Sequence, residues 1–356
     1  MRYGVILAGG GGTRLWPASR RARPKPLVRL LGGDETLLAA TCRRAARAAD
    51  RSIAVIAADQ GEVLAPELGS VEILSEPVGR NTAAAIGLAA AHLVARDPDA
   101  VMGVWPSDHH IADEDAFAAA AARAFALAEE RGAVVSIGAR PTRPETGFGY
   151  LELGDPLDRG QGARAVRRFV EKPSATDAAA MVTGGGYLWN TGMCFARADR
   201  LLADIERHLP ATHRALAAIG AALARGDSAE ADAAAAERYP ALPSISIDHG
   251  VLEHLTDIVC VAGDFGWNDV GSWSALAEIA PAGEDENVSV GQVIAVDGAR
   301  GNIAVADPGR LIALVGVEDL VVVQAGDAVL VVPRSRAQEV REAVAALGRA
   351  GLDRFL

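Results

Sequence analysis

Only two lysines, Lys25 and Lys172, occur in this 356-residue chain, against 33 arginines. A chain that writes nearly every cation as arginine keeps lysine by chance, or where a compact point charge does what a planar guanidinium cannot. Lys25 sits in Pro24-Lys25-Pro26, its backbone stiffened by two prolines, downstream of the run Gly9-Gly10-Gly11-Gly12-Thr13-Arg14. Consecutive glycines let a backbone approach a ligand with its N–H groups turned toward phosphate oxygens. A glycine run alone is more often a plain turn. With two fixed cations, Arg14 and Lys25, beside it, the chemistry it suits is holding a triphosphate. The loop is neither the dinucleotide fingerprint nor a P-loop, since no Gly-Lys-Ser/Thr ends it.

Carboxylates supply the second half of such a site. Asp108 ends an apolar strand, and Asp269 lies in a tryptophan-rich turn far along the chain. Each alone reads as a cap or turn residue. Together at sheet ends they would hold one Mg²⁺ against phosphate oxygens, since that ion takes few carboxylates and completes its shell with phosphate. His109 and His110 are neighbours and do not converge easily on a metal from a strand end. Ser107, Asp108 and His109 are adjacent, so they cannot form the hydrogen-bonded chain of a catalytic triad. Asparagine is also scarce, at Asn81, Asn190, Asn268, Asn287 and Asn302 only. An amide both donates and accepts, which makes Asn190 a fit for sugar hydroxyls or for a turn before a strand.

The elements that must position these residues alternate. Tyr3–Leu7 is a buried strand entering the glycine loop, followed by a helix from Leu37 to Ala49 and strands at 53–57 and 71–74. A helix from Thr82 to Val94, a strand at 101–105, a helix at 115–131 and a strand at 133–138 come next. This order predicts an α/β sheet with helices on both faces. Runs at 150–153 and 164–170 read as antiparallel additions, and 199–237 as helical. After Pro281 the character changes. Glu284-Asp285-Glu286-Asn287 reads as a solvated polar joint, and short apolar runs at 293–296, 303–305, 311–315, 320–323 and 329–332 predict a small β unit before a helix at 336–347. No sequence repeat is evident there, although a solenoid would suit it. The division expected is 1–280 and 281–356.

Composition excludes other functions. Lys plus Arg number 35 and Asp plus Glu 46, a formal charge of −11, which argues against wholesale binding to nucleic acid or anionic membranes. Cys42, Cys194 and Cys260 are scattered singly, with neither disulfide nor zinc spacing, and Cys194 reads as core. The apolar run Gly4–Ala8 is too short for a signal or a span. A cytoplasmic location is expected.

Several of these motifs recur in order in one known family. Leu7-Ala8-Gly9-Gly10-Gly11-Gly12-Thr13-Arg14-Leu15-Trp16-Pro17 with Pro24-Lys25 resembles the signature of the sugar-nucleotide pyrophosphorylases. So do Glu76-Pro77 with Arg80-Asn81-Thr82, Trp105-Pro106-Ser107-Asp108-His109, and Glu145-Thr146-Gly147-Phe148-Gly149-Tyr150. Phe169-Val170-Glu171-Lys172-Pro173, Trp189-Asn190-Thr191-Gly192-Met193, and Gly266-Trp267-Asn268-Asp269-Val270-Gly271-Ser272-Trp273 complete the set. Within that superfamily the chain most resembles the mannose-1-phosphate guanylyltransferases (GDP-mannose pyrophosphorylases), over 1–280 and into the β unit. Ending at Leu356, it is expected to be a short form without the isomerase domain of long members.

The resemblance implies a Rossmann-like, GT-A-like mixed sheet plus a β-helix-like C-terminal part, and Mg²⁺-assisted transfer of GMP from GTP to mannose 1-phosphate. It assigns Arg14, Lys25 and Lys172 to catalysis. Leu7 to Arg14, Lys25, Arg80, Asn81, Thr82, Ser107 and Asp108 would bind the nucleotide. Gly149, Glu171, Lys172 and Asn190 would bind the sugar phosphate, and Asp108 with Asp269 the metal. Glu-Pro-x-x-Arg-Asn-Thr resembles the guanylyl members, which places that loop near the base. The partners expected are these two small molecules and a second copy of the chain, the dimer being mediated by the β unit. Pro26 stands where many members carry Gln, and His249 where an aromatic residue is common. Two rival readings share these motifs. A pyrophosphorylase for another base or sugar would differ in its preferred nucleotide, and a silent regulatory subunit would lose Arg14, Lys25 or an aspartate, all of which are present.

Overall fold

The computed structural model describes residues 1–9, 12–157 and 162–356. Gly10 and Gly11 of the expected phosphate loop lie outside the described residues. The chain forms two compact units that do not follow chain order. One comprises Met1–Gly9, Thr41–Ser107 and Asp113–Trp267. The other comprises the described part of Gly10–Ala40, Asp108–Ala112 and Asn268–Leu356.

The first unit is built on a nine-stranded mixed sheet. Its strands are β1 (Arg2–Ala8), β2 (Arg51–Ala57), β3 (Glu72–Glu76), β4 (Val101–Pro106), β5 (Val135–Ala139), β6 (Tyr150–Pro156), β7 (Ala163–Val170), β8 (Tyr187–Arg197) and β9 (Val259–Gly263). Their order is β3-β2-β1-β4-β8-β5-β9-β7-β6. β1 to β4 pair in parallel, whereas β8 runs antiparallel to β4 and β5. The expected antiparallel additions are β6 and β7, paired with each other. β1 and β4 read as unbroken apolar runs because both faces are buried, as parallel strands between helix layers require. The helix Asn81–Arg96 is buried on nearly every side from Ala83 to Leu93, which small alanines permit where helices must approach closely. Its core is shared with Leu201, Ile205, Leu216 and Ile219 of the helices Ala198–His208 and Pro210–Ala224.

The second unit is a short solenoid. β10 (Val288–Val290), β12 (Ile303–Ala306) and β14 (Leu320–Ala325) stack in parallel, closed by antiparallel β15 (Ala328–Pro333). β11 (Gln292–Val296) and β13 (Leu311–Val315) form a second parallel pair. Leu15, Trp16 and Val28 share one core with Ile303, Val321, Val323 and Leu330. Trp16 Nε1 donates to Phe355 O at 2.7 Å, and Trp273 Nε1 donates to Trp16 O at 3.0 Å.

A repeat missed in the sequence explains the stacking. Val288 pairs with Ile303, and Ile303 with Val321. The preceding asparagines form a buried ladder. Asn302 Nδ2 donates to Asn287 Oδ1 at 3.0 Å and to Val317 O at 2.8 Å, while Asn302 Oδ1 accepts from Leu320 N at 2.9 Å. Asn287 Nδ2 donates to Ala299 O at 2.7 Å. Asn287 is therefore 8% exposed and structural, which corrects its reading as the end of a solvated joint; Glu284 to Glu286 are exposed. The strand 288–290 also went unread, because only three residues pair before Gly291 turns the chain.

Replacing Asn302 with Ala would orphan the Leu320 N–H inside the coil and leave the Val317 carbonyl with only its bond from Arg300 N. At about 1–3 kcal/mol per unsatisfied buried group, the urea midpoint should drop measurably; an unchanged midpoint would remove the ladder as a stabilising device.

Candidate active site

The site residues fall into one group in each unit. In the second unit Lys25 is 8% exposed, and its ammonium donates to Asp269 O at 2.6 Å and pairs with Asp108 Oδ2 at 2.8 Å. A buried ammonium is tolerable only when paired in this way. Burial acts to raise the Asp108 carboxyl, yet Lys25, His109 and hydrogen bonds together hold it below the usual range. Two local features bring the lysine in. Gly12 has φ +53°, and a Cβ there would stand 2.3 Å from Lys25 Cβ, so only glycine admits the lysine stem. Downstream, Val270 is held at φ +51°, a genuine outlier for a β-branched residue. Asn268 Oδ1 accepts from Val270 N at 2.8 Å while Asn268 Nδ2 donates to Glu278 Oε2 at 2.8 Å, and this amide fixes the turn that aims Asp269. Asp269 Oδ1 accepts from Gly271 N at 3.2 Å. Thr13 and Arg14 lie exposed on the short turn Thr13–Leu15.

Carboxylate and carbonyl oxygens already gathered about a cation are the donor set of a hard divalent ion. Among the described residues there is no cluster of three or more His, Cys, Asp or Glu suited to a metal. His109 Nε2 lies 3.8 Å from Asp108 Oδ1, an electrostatic neighbour rather than a hydrogen-bond partner.

In the first unit Glu171, Lys172, Asn190 and Gly149 come together. Lys172 adopts φ +48° just past β7, its ammonium 3.4 Å from Glu171 Oε1 and its side chain 63% exposed. Gly149 is a close approach, since a Cβ would stand 2.6 Å from Glu171 Oε2. Its carbonyl accepts from Asn190 N at 2.8 Å, and Asn190 Nδ2 donates to Asp248 Oδ1 at 2.7 Å. Burial raises the Glu171 carboxyl, the charge of Asp248 raises it further, and Lys172 opposes both. Leu7 and Ala8 end β1, and Leu7 O accepts from Ser107 N at 3.1 Å. The Ser107 hydroxyl is buried, with no hydrogen-bond partner among the described residues.

The loop expected near the base is also built in this unit. Asn81 has φ +66°, and its Oδ1 accepts from Thr82 N at 2.8 Å. Thr82 Oγ1 accepts from Ile247 N at 2.8 Å, and no side chain caps the helix that starts at Asn81. Arg80 Nη2 donates to Pro240 O, and its Nε is buried with no partner among the described residues. Beneath them the Tyr239 hydroxyl donates to Glu76 Oε1.

Comparison with known proteins shows the family. Residues 3–286 match the nucleotidyl transferase family, and residues 291–347 match the MannoseP isomerase/GMP-like beta-helix domain. The chain belongs to the nucleotidyl transferase family. It is 42% identical over 355 residues to the xanthan biosynthesis protein XanB of Xanthomonas campestris pv. campestris, covering 98% of this chain and 73% of that one. It is 40% identical over 358 residues to a mannose-1-phosphate guanylyltransferase of Escherichia coli, covering 96% and 72%. A solved structure described as a mannose-1-phosphate geranyltransferase, from Thermus thermophilus, superposes with a TM-score of 0.87 at 39% identity, covering 98% of this chain and 99% of that one. The mixed α/β nucleotidyl transferase fold with a β-rich C-terminal part is thus as the motifs implied.

Two contacts escaped the sequence reading. Asp248 has no assigned role there, and Glu76, quoted only as part of a motif, is too far from Tyr239 in the chain to be paired with it by spacing. The last pair carries a pH dependence. Burial raises the Glu76 carboxyl, against hydrogen bonds from Tyr239 and the Arg80 N–H. The folded chain therefore binds that proton more tightly than the unfolded one. Its contribution to stability is present below the unfolded value, about 4.3, and is lost as pH rises through the folded value. Glu76→Gln keeps an acceptor for Tyr239 and cannot titrate. Its urea midpoint should gain on wild type between about pH 5 and pH 8, and parallel profiles would show that Glu76 is not the titrating group.

Proposed function

We propose that this chain transfers GMP from GTP to α-D-mannose 1-phosphate, giving GDP-mannose and pyrophosphate. The observation that carries the reading is the Lys25 ammonium held by Asp108 and Asp269, a preformed cation position made of oxygen atoms. The high similarity to a mannose-1-phosphate guanylyltransferase supports the choice of base and sugar. Asp108 and Asp269 would hold Mg²⁺, which when bound neutralises charge on the phosphates.

An oxygen of the sugar phosphate attacks the α-phosphorus of GTP. A P–O bond forms there, the bond to the bridging oxygen breaks in line, and pyrophosphate leaves with the electron pair. The attacking oxygen is already ionised near neutral pH, so no residue must remove a proton. The barrier to offset is repulsion between anions, roughly 4 kcal/mol for unit charges about 4 Å apart at an effective dielectric near 20. Arg14 and Lys25 hold the triphosphate, aided by backbone N–H groups of the loop from Leu7 to Thr13 and by the Ser107 hydroxyl. Arg80, Asn81 and Thr82 lie at the base. Lys172 holds the sugar phosphate, while Glu171, Asn190 and the backbone at Gly149 meet the sugar. Positioning and charge are the main means available to such transfers.

Transfer chemistry is assigned to residues 1–280, and pairing with a second copy to 281–356. The outer face of β11 and β13 exposes Ile294 and Val296 at 49%, Leu311 at 62% and Val315 at 58%, an apolar surface suited to a like face. Among the described residues no helix is long and apolar enough to cross a membrane, and all three cysteines are free, which suits work in the cytosol.

A pyrophosphate-release screen crossing four nucleotides with several sugar 1-phosphates should favour GTP with mannose 1-phosphate; preference for another pair would replace the substrates named here. Lys25→Ala or Asp269→Ala should lower turnover by about 10²-fold or more, and wild-type rates would refute the assignment. EDTA should abolish turnover and Mg²⁺ restore it. Leu311→Lys with Val315→Glu should halve the mass measured by light scattering, whereas an unchanged mass would clear this face of a role in pairing.

A further inference from the structure

Asn190 is held by more than its own strand. It is 8% exposed; its Nδ2 donates to Asp248 Oδ1 at 2.7 Å, and its Oδ1 accepts from Gly192 N at 3.3 Å. These two contacts decide which end of the amide faces which way. A flipped amide would set Oδ1 against a carboxylate and Nδ2 against an N–H donor, losing both bonds. One N–H and one lone pair remain unspent.

Asp248 is itself anchored on both sides. Ile247, 3% exposed, donates its N–H to Thr82 Oγ1, and His249 donates its N–H to Ser246 Oγ at 3.2 Å. These bonds hold the backbone on either side of Asp248, so the carboxylate meets the amide from a fixed Cα. Its neighbours are Glu171 and Lys172: burial is the main influence raising the Asp248 carboxyl, with Asn190 and Lys172 lowering it, and Asp248 in turn raises Glu171.

We propose that Asp248 is a positioning residue for sugar selection, locking the Asn190 amide so that its remaining donor and acceptor meet two hydroxyls of a sugar phosphate in one fixed order. The proposal rests on the reading that Asn190 and Glu171 face the sugar. Asp248 touches no reacting atom in this scheme. It acts through Asn190, and the stereochemistry of the hydroxyls is what a fixed donor and acceptor distinguish.

The test is steady-state kinetics on the full chain with Asp248→Ala, Asp248→Asn, Asn190→Ala and the Asn190→Ala/Asp248→Ala pair. Asp248→Ala should raise the KM for mannose 1-phosphate about tenfold while the KM for GTP stays within about twofold, the scale of one charge-assisted hydrogen bond. Asp248→Asn keeps an acceptor and should stay within about threefold of wild type, which also answers any failure of the alanine variant to fold. The double variant should be no worse than Asn190→Ala, because both act through one amide. Additive losses, an equal shift in both KM values, or an asparagine variant as poor as alanine would overturn the proposal. If Asn190→Ala raises the sugar-phosphate KM and Asp248→Ala does not, only the role of Asp248 falls. If Asn190→Ala leaves that KM unchanged, the sugar-site reading falls and takes this inference with it.

Discussion

A buried ammonium cannot stand alone, and the second unit is organised around that fact. Lys25 gives up nearly all contact with water, so its charge must be met by protein oxygens. Those oxygens come from residues 108 and 269, far apart in the chain, and neighbouring features read as conditions for the meeting. Glycine at 12 leaves room for the lysine stem, a valine is held in a left-handed conformation beside Asp269, and an asparagine amide pins that turn. Replacing Val270 with glycine would relax that backbone strain and loosen the turn that carries Asp269.

The two lysines solve different problems. Lys25 is enclosed and aimed by its partners, whereas Lys172 projects its head into solvent from a backbone in the left-handed region, with the sheltered Glu171 beside it. A fixed charge defines a position; an exposed one on a flexible stem can adjust to an arriving anion.

Much of this was legible in sequence, and the parts that were not share a cause. Lysine and asparagine scarcity singled out Lys25, Lys172 and Asn190, and the alternating apolar runs located most of the strands because local periodicity encodes local structure. Asp248 and the Glu76–Tyr239 pair were missed because their meaning lies in contacts 58 and 163 residues away. Asn287 and Asn302 looked like unrelated polar residues because the turns between coil strands differ in length. The membership of 12–40 in the solenoid's unit was invisible for the same reason: Leu15, Trp16 and Val28 read as generic core until the surface they cover is known.

The asparagine ladder has one further implication. Each amide reaches only the adjacent coil, so the stack obeys nearest-neighbour rules, and a whole turn can be gained or lost while turns that do not touch it keep their bonds. Evolution could therefore lengthen or shorten this module rung by rung, adjusting its breadth for new assemblies without redesigning the chemistry upstream.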